Sequence, residues 1–187
     1  MRELEVMSAR IEATVADLYR AEGKAELIEG EVVQMSPTGG LPNYAANEIT
    51  FSLRQYERST GTGHAVGDNA AFVVDLVTRG SFSPDAAYYF GDITMGFFEG
   101  APAFAVEVRS EGDYGPRAER AMAQKRADYF AAGTKVVWDV DLLSPDVIKK
   151  YCAQDPDGAV VFRRGDMANA EPAVPGWTMP VDDLFVD

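Results

Sequence analysis

The sequence contains one cysteine, Cys152, and one histidine, His64. A single cysteine cannot form an internal disulfide, so the sequence predicts a reducing compartment such as the cytoplasm. One cysteine and one histidine are too few for a zinc finger, and a lone histidine excludes any site that needs two. Because no histidine stands near Cys152 in the sequence, we interpret this cysteine as a small packing residue and not as a nucleophile.

The sequence also lacks a long hydrophobic run. No apolar stretch approaches the roughly 20 residues that a membrane-spanning helix needs, and the N-terminal residues lack the basic and apolar regions of a secretory signal. We therefore expect no membrane association. A length of 187 residues with 47% hydrophobic and 25% charged residues predicts a single globular domain over residues 1–187, without repeats or linkers.

Basic residues are scarce. The chain has 17 lysines and arginines against 30 acidic residues, a formal net charge of -13. This charge argues against non-specific binding of duplex DNA through a broad basic face. It would repel phosphate unless metal ions and a local basic cluster outweighed it. Five basic residues do lie close together, although a solvated helix face would have the same composition: Arg109, Arg117, Arg120, Lys125 and Arg126.

Hydrophobic periodicity and turn residues predict three helices and a set of short strands. The order is helix, hairpin, helix, strands, helix, strands, which predicts an α/β or α+β fold with a mixed sheet. The predicted helices span residues 8–22, 42–58 and 114–132, and the predicted strands span 25–35 (as a hairpin), 65–76, 85–90, 104–109, 135–140, 147–152 and 159–163.

Turn signals predict how some of these strands connect. Glu29-Gly30 predicts the turn of the first hairpin, and Asp157-Gly158 predicts the turn of a later one. Residues 91–102 are expected to form an exposed loop. Packing within the loop is the default role of Phe97 and Phe98, and a mobile flap or a dimer contact are the alternatives. Residues 181–185 are expected to form a short docked segment.

Charged residues interrupt the apolar pattern of the strand over residues 104–109. Side chains alternate between the two faces of a strand. Glu107 and Arg109 therefore share one face, about 7 Å apart, and the apolar residues occupy the other. The apolar residues are Phe104, Val106 and Val108.

A lysine interrupts the apolar stripe of the helix over residues 114–132. Ala118, Met122, Lys125 and Tyr129 follow the spacing of one helix face. A lysine that points toward the core is costly unless a carboxylate meets it. Glu107 is the nearest candidate, and Asp85 can supply a second acid from a neighbouring strand.

Two acids and a cation on a strand-strand-helix unit are the components of a magnesium-dependent phosphodiesterase site. The lysine can position a water molecule and neutralise charge that develops on the phosphate. An alternative is a buried ion pair between Glu107 and Lys125 that only fixes how the helix packs on the sheet.

The sequence resembles the Uma2 family, also called DUF820, within the PD-(D/E)XK restriction-endonuclease-like superfamily. The resemblance covers nearly the whole chain and rests on an ordered set of short motifs, none of them specific alone. The motifs are Glu26-Leu27-Ile28-Glu29-Gly30-Glu31, Met35-Ser36-Pro37-Thr38-Gly39-Gly40, Ser83-Pro84-Asp85, Val106-Glu107-Val108-Arg109-Ser110, Lys125 with Tyr129 and Gly133, and Trp138 with Asp141.

The resemblance implies a mixed central β-sheet flanked by helices, with Asp85 and Glu107 as metal-binding acids. The superfamily lysine normally stands two residues after the second acid, where this sequence has Arg109. The resemblance implies that Lys125 on the following helix replaces it, and that Glu26 is an additional acid. Many members carry a histidine after the Ser-Pro segment, where this chain has Leu41-Pro42-Asn43.

The resulting hypothesis is a Mg²⁺- or Mn²⁺-dependent endonuclease that acts on nucleic acid, with DNA as the expected substrate. Asp85, Glu107 and the backbone carbonyl of Val108 would hold the ion, Lys125 would orient the water, and Arg109 would contact the phosphate. Two alternatives stay open: a catalytically silent module that binds nucleic acid or a protein, and a hydrolase of other phosphoesters. A homodimer is a further expectation for the nuclease, because an enzyme that cuts both strands benefits from two sites.

Overall fold

A computed structural model describes residues 12–186. Its helices, strands and one 3-10 helix follow each other in the order of an α+β protein. The elements are α1 (Val15–Leu18), β1 (Ala25–Ile28), β2 (Glu31–Gln34), α2 (Gly40–Thr60), β3 (His64–Val66), β4 (Phe72–Val73), β5 (Ser81–Phe82), β6 (Ala86–Tyr89), β7 (Phe98–Glu99), β8 (Phe104–Val108), α3 (Pro116–Ala131), β9 (Val136–Val140), β10 (Ile148–Cys152), β11 (Asp155–Phe162), β12 (Met167–Asn169), β13 (Thr178–Pro180) and the 3-10 helix Val181–Leu184.

A six-stranded mixed sheet with the order β11-β10-β9-β8-β6-β3 forms the centre of the fold. Strands β8 and β9 are parallel, whereas the other neighbouring pairs are antiparallel. A parallel pair needs a crossover connection, and α3 supplies it between β8 and β9. The crossover helix therefore lies over one face of the sheet. The expected α+β architecture with a mixed central sheet is confirmed.

The two faces of the sheet belong to different hydrophobic clusters. Phe104, Val106 and Trp138 pack with residues of α2 and the C-terminal segment. Ala105 packs on the opposite face with Tyr129 of α3. The strand alternation of β8 thus sends its apolar residues toward α2 and turns Glu107 toward α3, as the sequence predicts.

The predicted turn at Glu29-Gly30 is confirmed, because both residues have positive φ angles of 48° and 72° and connect β1 to β2. Two positive φ angles are the signature of a type I′ turn. The hairpin is attached to the rest of the protein by the backbone amide of Gly80, which donates to the carbonyl of Leu27 at 2.8 Å. This attachment places β1 beside β5 and directs Glu26 into the interior.

The prediction of a hairpin turn at Asp157-Gly158 is wrong. Strands β10 and β11 pair Cys152 with Asp155, so the chain reverses at residues 153–154. The Asp155 carboxylate accepts a hydrogen bond from the Gly158 amide at 3.2 Å, and the pairing register shifts at this point. Asp157 and Gly158 therefore form part of an irregularity inside β11.

The predicted first helix is shorter than expected. The structure has a single helical segment at Val15–Leu18, and the predicted start over residues 8–11 lies outside the described residues. The helix begins at Val15 because Thr14 caps it. The backbone amide of Thr14 donates to the Asp17 carboxylate at 2.8 Å, which is one half of a capping box. Tyr19 follows the helix and stacks on Phe97, with ring centroids 3.8 Å apart.

Two other predicted elements are subdivided. The strand predicted over residues 65–76 consists of β3 and β4, which pair with different neighbours. The loop predicted over residues 91–102 contains β7, whose Phe98 stacks on Phe72 at 4.7 Å, so the expected packing role of Phe98 is confirmed. The docked C-terminal segment is also confirmed, since Val181 and Leu184 are fully buried. None of the described helices is both long and apolar enough to cross a bilayer.

Candidate active site

A cleft of about 760 Å³ opens on the face of the central sheet that α3 covers. The loop of residues 35–39 and the loop of residues 110–113 border it. The cleft gathers residues from β1, β8 and α3 and from the chain just before β6, together with Arg79 and Arg109. The charged residues that line it include Glu26, Arg79, Asp85, Glu107, Arg109 and Lys125.

The ammonium of Lys125 forms ion pairs with Glu26 of β1 and Glu107 of β8. Its Nζ atom lies 2.8 Å from Oε1 of Glu26 and 2.8 Å from Oε2 of Glu107. The Glu26 side chain is 1% exposed, whereas those of Glu107 and Lys125 are 19% and 18% exposed. The lysine therefore reaches from the core to the cleft, and the expected contact between Lys125 and Glu107 exists.

Asp85 lies opposite Glu107. The register of β6 and β8 pairs Ala86 with Val106, and one further step brings Asp85 and Glu107 face to face. Residues opposite each other in an antiparallel pair have Cβ atoms about 5 Å apart. Oδ2 of Asp85 accepts a hydrogen bond from the backbone amide of Val108 at 2.7 Å, and Oδ1 accepts one from Nζ of Lys24 at 2.6 Å.

A buried arginine holds the acid of the first hairpin. The Arg79 guanidinium contacts Oε2 of Glu26 at 2.5 Å and Oδ2 of Asp128 at 3.0 Å. The backbone amide of Ser83 donates to Oε1 of Glu26 at 2.8 Å. Glu26 thus serves in this geometry as a fixed, buried counter-ion for Lys125.

The surroundings raise the pKa values of Glu107 and Lys125 and lower the pKa of Glu26. Burial raises the pKa of Glu107 to about 7 against the effect of Lys125, and the carboxylates of Asp85 and Glu26 raise this pKa further. Burial alone would raise the pKa of Glu26, but Lys125 and Arg79 outweigh it and lower the value. Burial opposes the charge of Lys125, but Glu107 and Glu26 outweigh it and raise the pKa of the amine well above its usual value. Lys125 is therefore an ammonium donor and not a base.

The guanidinium of Arg109 pairs with Asp139 and Glu119. Its Nη2 lies 2.7 Å from Oδ2 of Asp139 and 3.0 Å from a carboxylate oxygen of Glu119. Asp139 stands opposite Glu107 in the parallel pair of β8 and β9. Because carboxylates occupy the guanidinium on both sides, this geometry gives no support to the expected contact of Arg109 with a phosphate.

The sequence did not reveal three charged residues that surround the acids. Lys24, Arg79 and Asp128 are all largely buried and contact Asp85 or the Glu26 network. Lys24 precedes Glu26 by two residues, and the alternation of a strand that begins nearby gives both the same side. That alternation could have predicted that Lys24 lies on the same side as Glu26. Arg79 lies in a connecting segment where no periodicity applies.

The carboxylate oxygens of the cleft are of the type that a hard divalent cation prefers. Among residues 12–186, no three or more histidine, cysteine, aspartate or glutamate side chains are gathered as a ready ligand set. Mg²⁺, however, is commonly bound by one or two carboxylates and completes its shell with water and substrate phosphates. Asp85 and Glu107 lie opposite each other and both line the cleft, so a pair of carboxylates is available.

The chain belongs to the Uma2 family. The family profile, described as "Putative restriction endonuclease", matches residues 13–182, which includes every acid and lysine of the cleft. The resemblance seen in the sequence is thereby confirmed. No curated protein matches the sequence.

A solved structure shares the fold. It is described as a putative nuclease belonging to DUF820 from Anabaena variabilis, and it superimposes with a TM-score of 0.73. The two sequences are 17% identical, and the match covers 92% of this chain and 97% of the other. At this identity the likeness establishes the common fold alone.

Proposed function

We propose that the protein is a Mg²⁺-dependent endonuclease that hydrolyses phosphodiester bonds of nucleic acid, with DNA as the expected substrate. One observation carries the proposal: the ammonium of Lys125 lies 2.8 Å from Glu107. Asp85 stands opposite Glu107 in the register of β6 and β8, and all three residues line an open cleft. Membership of a family described as "Putative restriction endonuclease" supports it.

In this proposal Asp85 and Glu107, with the backbone carbonyl of Val108, hold Mg²⁺ or Mn²⁺. Such an ion lowers the pKa of a bound water and stabilises charge on the phosphate when it is bound. Lys125 stays protonated, because its two acids raise its pKa, and it donates hydrogen bonds to the attacking water or to a phosphate oxygen. Glu26 keeps the Lys125 side chain extended toward the cleft.

Cleavage of plasmid and single-stranded DNA in the presence of Mg²⁺ or Mn²⁺ tests the proposal. Asp85→Asn and Glu107→Gln keep the size of each side chain, and each should reduce the cleavage rate by at least about a hundredfold. Asp183→Asn is the matched control, because Asp183 is exposed in the C-terminal 3-10 helix. Equal cleavage by the wild type and Asp85→Asn, or no cleavage with any metal, would contradict the proposal.

A second candidate is a catalytically silent module that binds nucleic acid or a protein. The observation in its favour is that all six carboxylate oxygens of Glu26, Asp85 and Glu107 accept a hydrogen bond or ion pair from the protein itself. Calorimetric titration with Mn²⁺ separates the two candidates. The silent module shows no affinity that depends on Asp85, whereas the endonuclease does.

Homodimerisation and a cytoplasmic location remain predictions. Two copies of the site would let one assembly cut both strands of a duplex. Light scattering of the purified protein measures the oligomeric state directly.

A further inference from the structure

The ammonium of Lys24 forms an ion pair with the Asp85 carboxylate. Its Nζ atom lies 2.6 Å from Oδ1 of Asp85 and 2.7 Å from Oδ1 of Asp68, and its side chain is 16% exposed. Lys24 therefore bridges an acid of the cleft and an acid outside the cleft lining. Lys24 is not among the residues to which the family resemblance assigns a role.

The two oxygens of Asp85 differ in what holds them. Oδ2 is bound by the backbone amide of Val108, which belongs to β8 and is fixed by the sheet. Oδ1 is bound by the side chain of Lys24, which can rotate away. Of these two donors, the Lys24 side chain is the one that can move without disturbing the sheet, so Oδ1 is the oxygen more readily freed for an ion.

The ammonium and a divalent ion cannot share Oδ1 without strong repulsion. A Mg²⁺ ion lies about 2.1 Å from a ligand oxygen, and Nζ of Lys24 lies 2.6 Å from the same atom. The two cations would then be less than about 5 Å apart, a distance at which charges in a partly buried site interact strongly. Lys24 in its observed position therefore opposes binding of the ion at Oδ1, and binding is favoured when the ammonium moves away from Asp85.

Asp68 is a second carboxylate partner that the Lys24 ammonium can keep when it leaves Asp85. Its Oδ1 also accepts a hydrogen bond from the backbone amide of Asn69 at 2.7 Å, which fixes the acceptor. The backbone of Lys24 is held by the amide of Met35, which donates to its carbonyl at 2.9 Å. The ammonium can therefore stay paired with Asp68 while its main chain keeps its position.

We propose that Lys24 is a displaceable ammonium that competes with the divalent cation for Asp85 and sets the metal affinity of the site. Asp68 lowers the cost of the exchange by keeping the released ammonium paired. Lys24 is a positioning residue, since it acts through Asp85. The inference rests on the proposed function, because it assumes that Asp85 binds the ion.

Isothermal titration of the full chain with Mn²⁺ alone, without nucleic acid, tests the inference. Lys24→Met removes the competing charge and should lower the Kd for Mn²⁺ by about tenfold, the effect of one modest charge interaction. Lys135→Met is the matched control, because Lys135 is exposed immediately before β9 and its loss should leave the Kd nearly unchanged. Lys24→Gln serves as a second variant if Lys24→Met does not fold.

Asp68→Asn should change the Kd for Mn²⁺ in the opposite direction from Lys24→Met. The released ammonium loses its second partner, so the Kd for Mn²⁺ should rise in the wild-type background and change much less in the Lys24→Met background. A simple loss of negative charge near the site would instead weaken binding equally in both backgrounds, and this result would overturn the role of Asp68.

The outcomes separate the inference from the proposed function. If Mn²⁺ binds in an Asp85-dependent manner and Lys24→Met leaves the Kd unchanged or raises it, the inference is wrong and the metal site stands. Binding by Lys24→Met but not by the wild type supports the inference. If no variant binds Mn²⁺, or if binding persists in Asp85→Asn, both are overturned.

Discussion

Tyr129 donates its phenolic hydrogen to Oε1 of Glu107 across 2.7 Å. Lys125, one turn earlier on α3, binds Oε2 of the same carboxylate at 2.8 Å. Residues four apart lie on the same face of a helix, so a single helical stripe holds both oxygens of the acid. The ring of Tyr129 is fixed in turn, because it stacks on Phe82 with centroids 4.0 Å apart.

We expect Tyr129→Phe to destabilise the protein by about 1 to 2 kcal/mol, because the mutation leaves Oε1 of Glu107 without its donor while keeping the ring. Urea unfolding monitored by circular dichroism measures the change. Tyr44→Phe is the control, since Tyr44 is partly exposed on α2 and its loss of a hydroxyl should have little effect. Equal stability of Tyr129→Phe and the wild type would show that the contact contributes nothing.

Glu107 should impose a pH dependence on the stability of the metal-free protein. Its folded pKa of about 7 lies above the ordinary value of 4.5, because burial and the facing acids Asp85 and Glu26 oppose its charge more than Lys125 favours it. The folded state therefore binds more protons than the unfolded state between these values. Its contribution is fully present below pH 4.5 and is lost as the pH rises through about 7.

The measurement is the difference in unfolding free energy between the wild type and Glu107→Gln, in EDTA, from about pH 5 to about pH 8. The wild type should lose stability relative to the variant as the pH rises over this range. Acids that do not interact with Glu107 act equally in both proteins and cancel. A difference that is flat with pH would show that Glu107 is ionised throughout.

The contact between Lys125 and Glu107 could be predicted because it follows from two short periodicities. The strand alternation of β8 fixes the side of Glu107, and the spacing of Ala118, Met122 and Tyr129 fixes the side of Lys125. Both patterns lie within fewer than 30 residues of sequence and on regular elements. An ion inside an apolar stripe then demands a partner of opposite charge.

The rest of the site depends on distant pairings that no local pattern encodes. Lys24 and Asp85 are 61 residues apart, and Arg79 meets Glu26 only because the first hairpin joins β5. The partner of Arg109 was missed for a similar reason. Asp139 faces it only when β8 and β9 are parallel and in the observed register, which the sequence does not specify.

Removal of Lys125 should leave two acids without their cation. We expect Lys125→Met to destabilise the protein by about 3 kcal/mol, because buried Glu26 and half-buried Glu107 lose a common partner. The double variant Lys125→Met/Glu107→Gln should recover part of the loss, since one of the two charges is gone. Chemical unfolding of the four proteins of this cycle measures the coupling, and strictly additive effects would exclude a direct interaction.

Arg109 should act on stability and not on metal binding. Its guanidinium binds Asp139, whose side chain is 6% exposed, so Arg109→Met leaves a buried carboxylate unpaired at a cost of about 3 kcal/mol. The variant Arg109→Met/Asp139→Leu should regain much of this stability, because both charges are then absent. Urea unfolding measures stability, and Mn²⁺ titration of the same proteins measures the site.

Arg117→Met is the matched control, because Arg117 is exposed on α3 and its loss should affect neither quantity. A phosphate-binding role for Arg109 predicts a different pattern, in which Arg109→Met unfolds like the wild type but binds or cleaves DNA poorly. Arg109 binds both oxygens of Asp139, from Nε at 2.8 Å and from Nη2 at 2.7 Å. This bidentate contact argues for the first pattern, because a guanidinium that already satisfies a buried acid must abandon it to reach a phosphate. Leaving that acid unpaired costs more than one exposed phosphate contact returns.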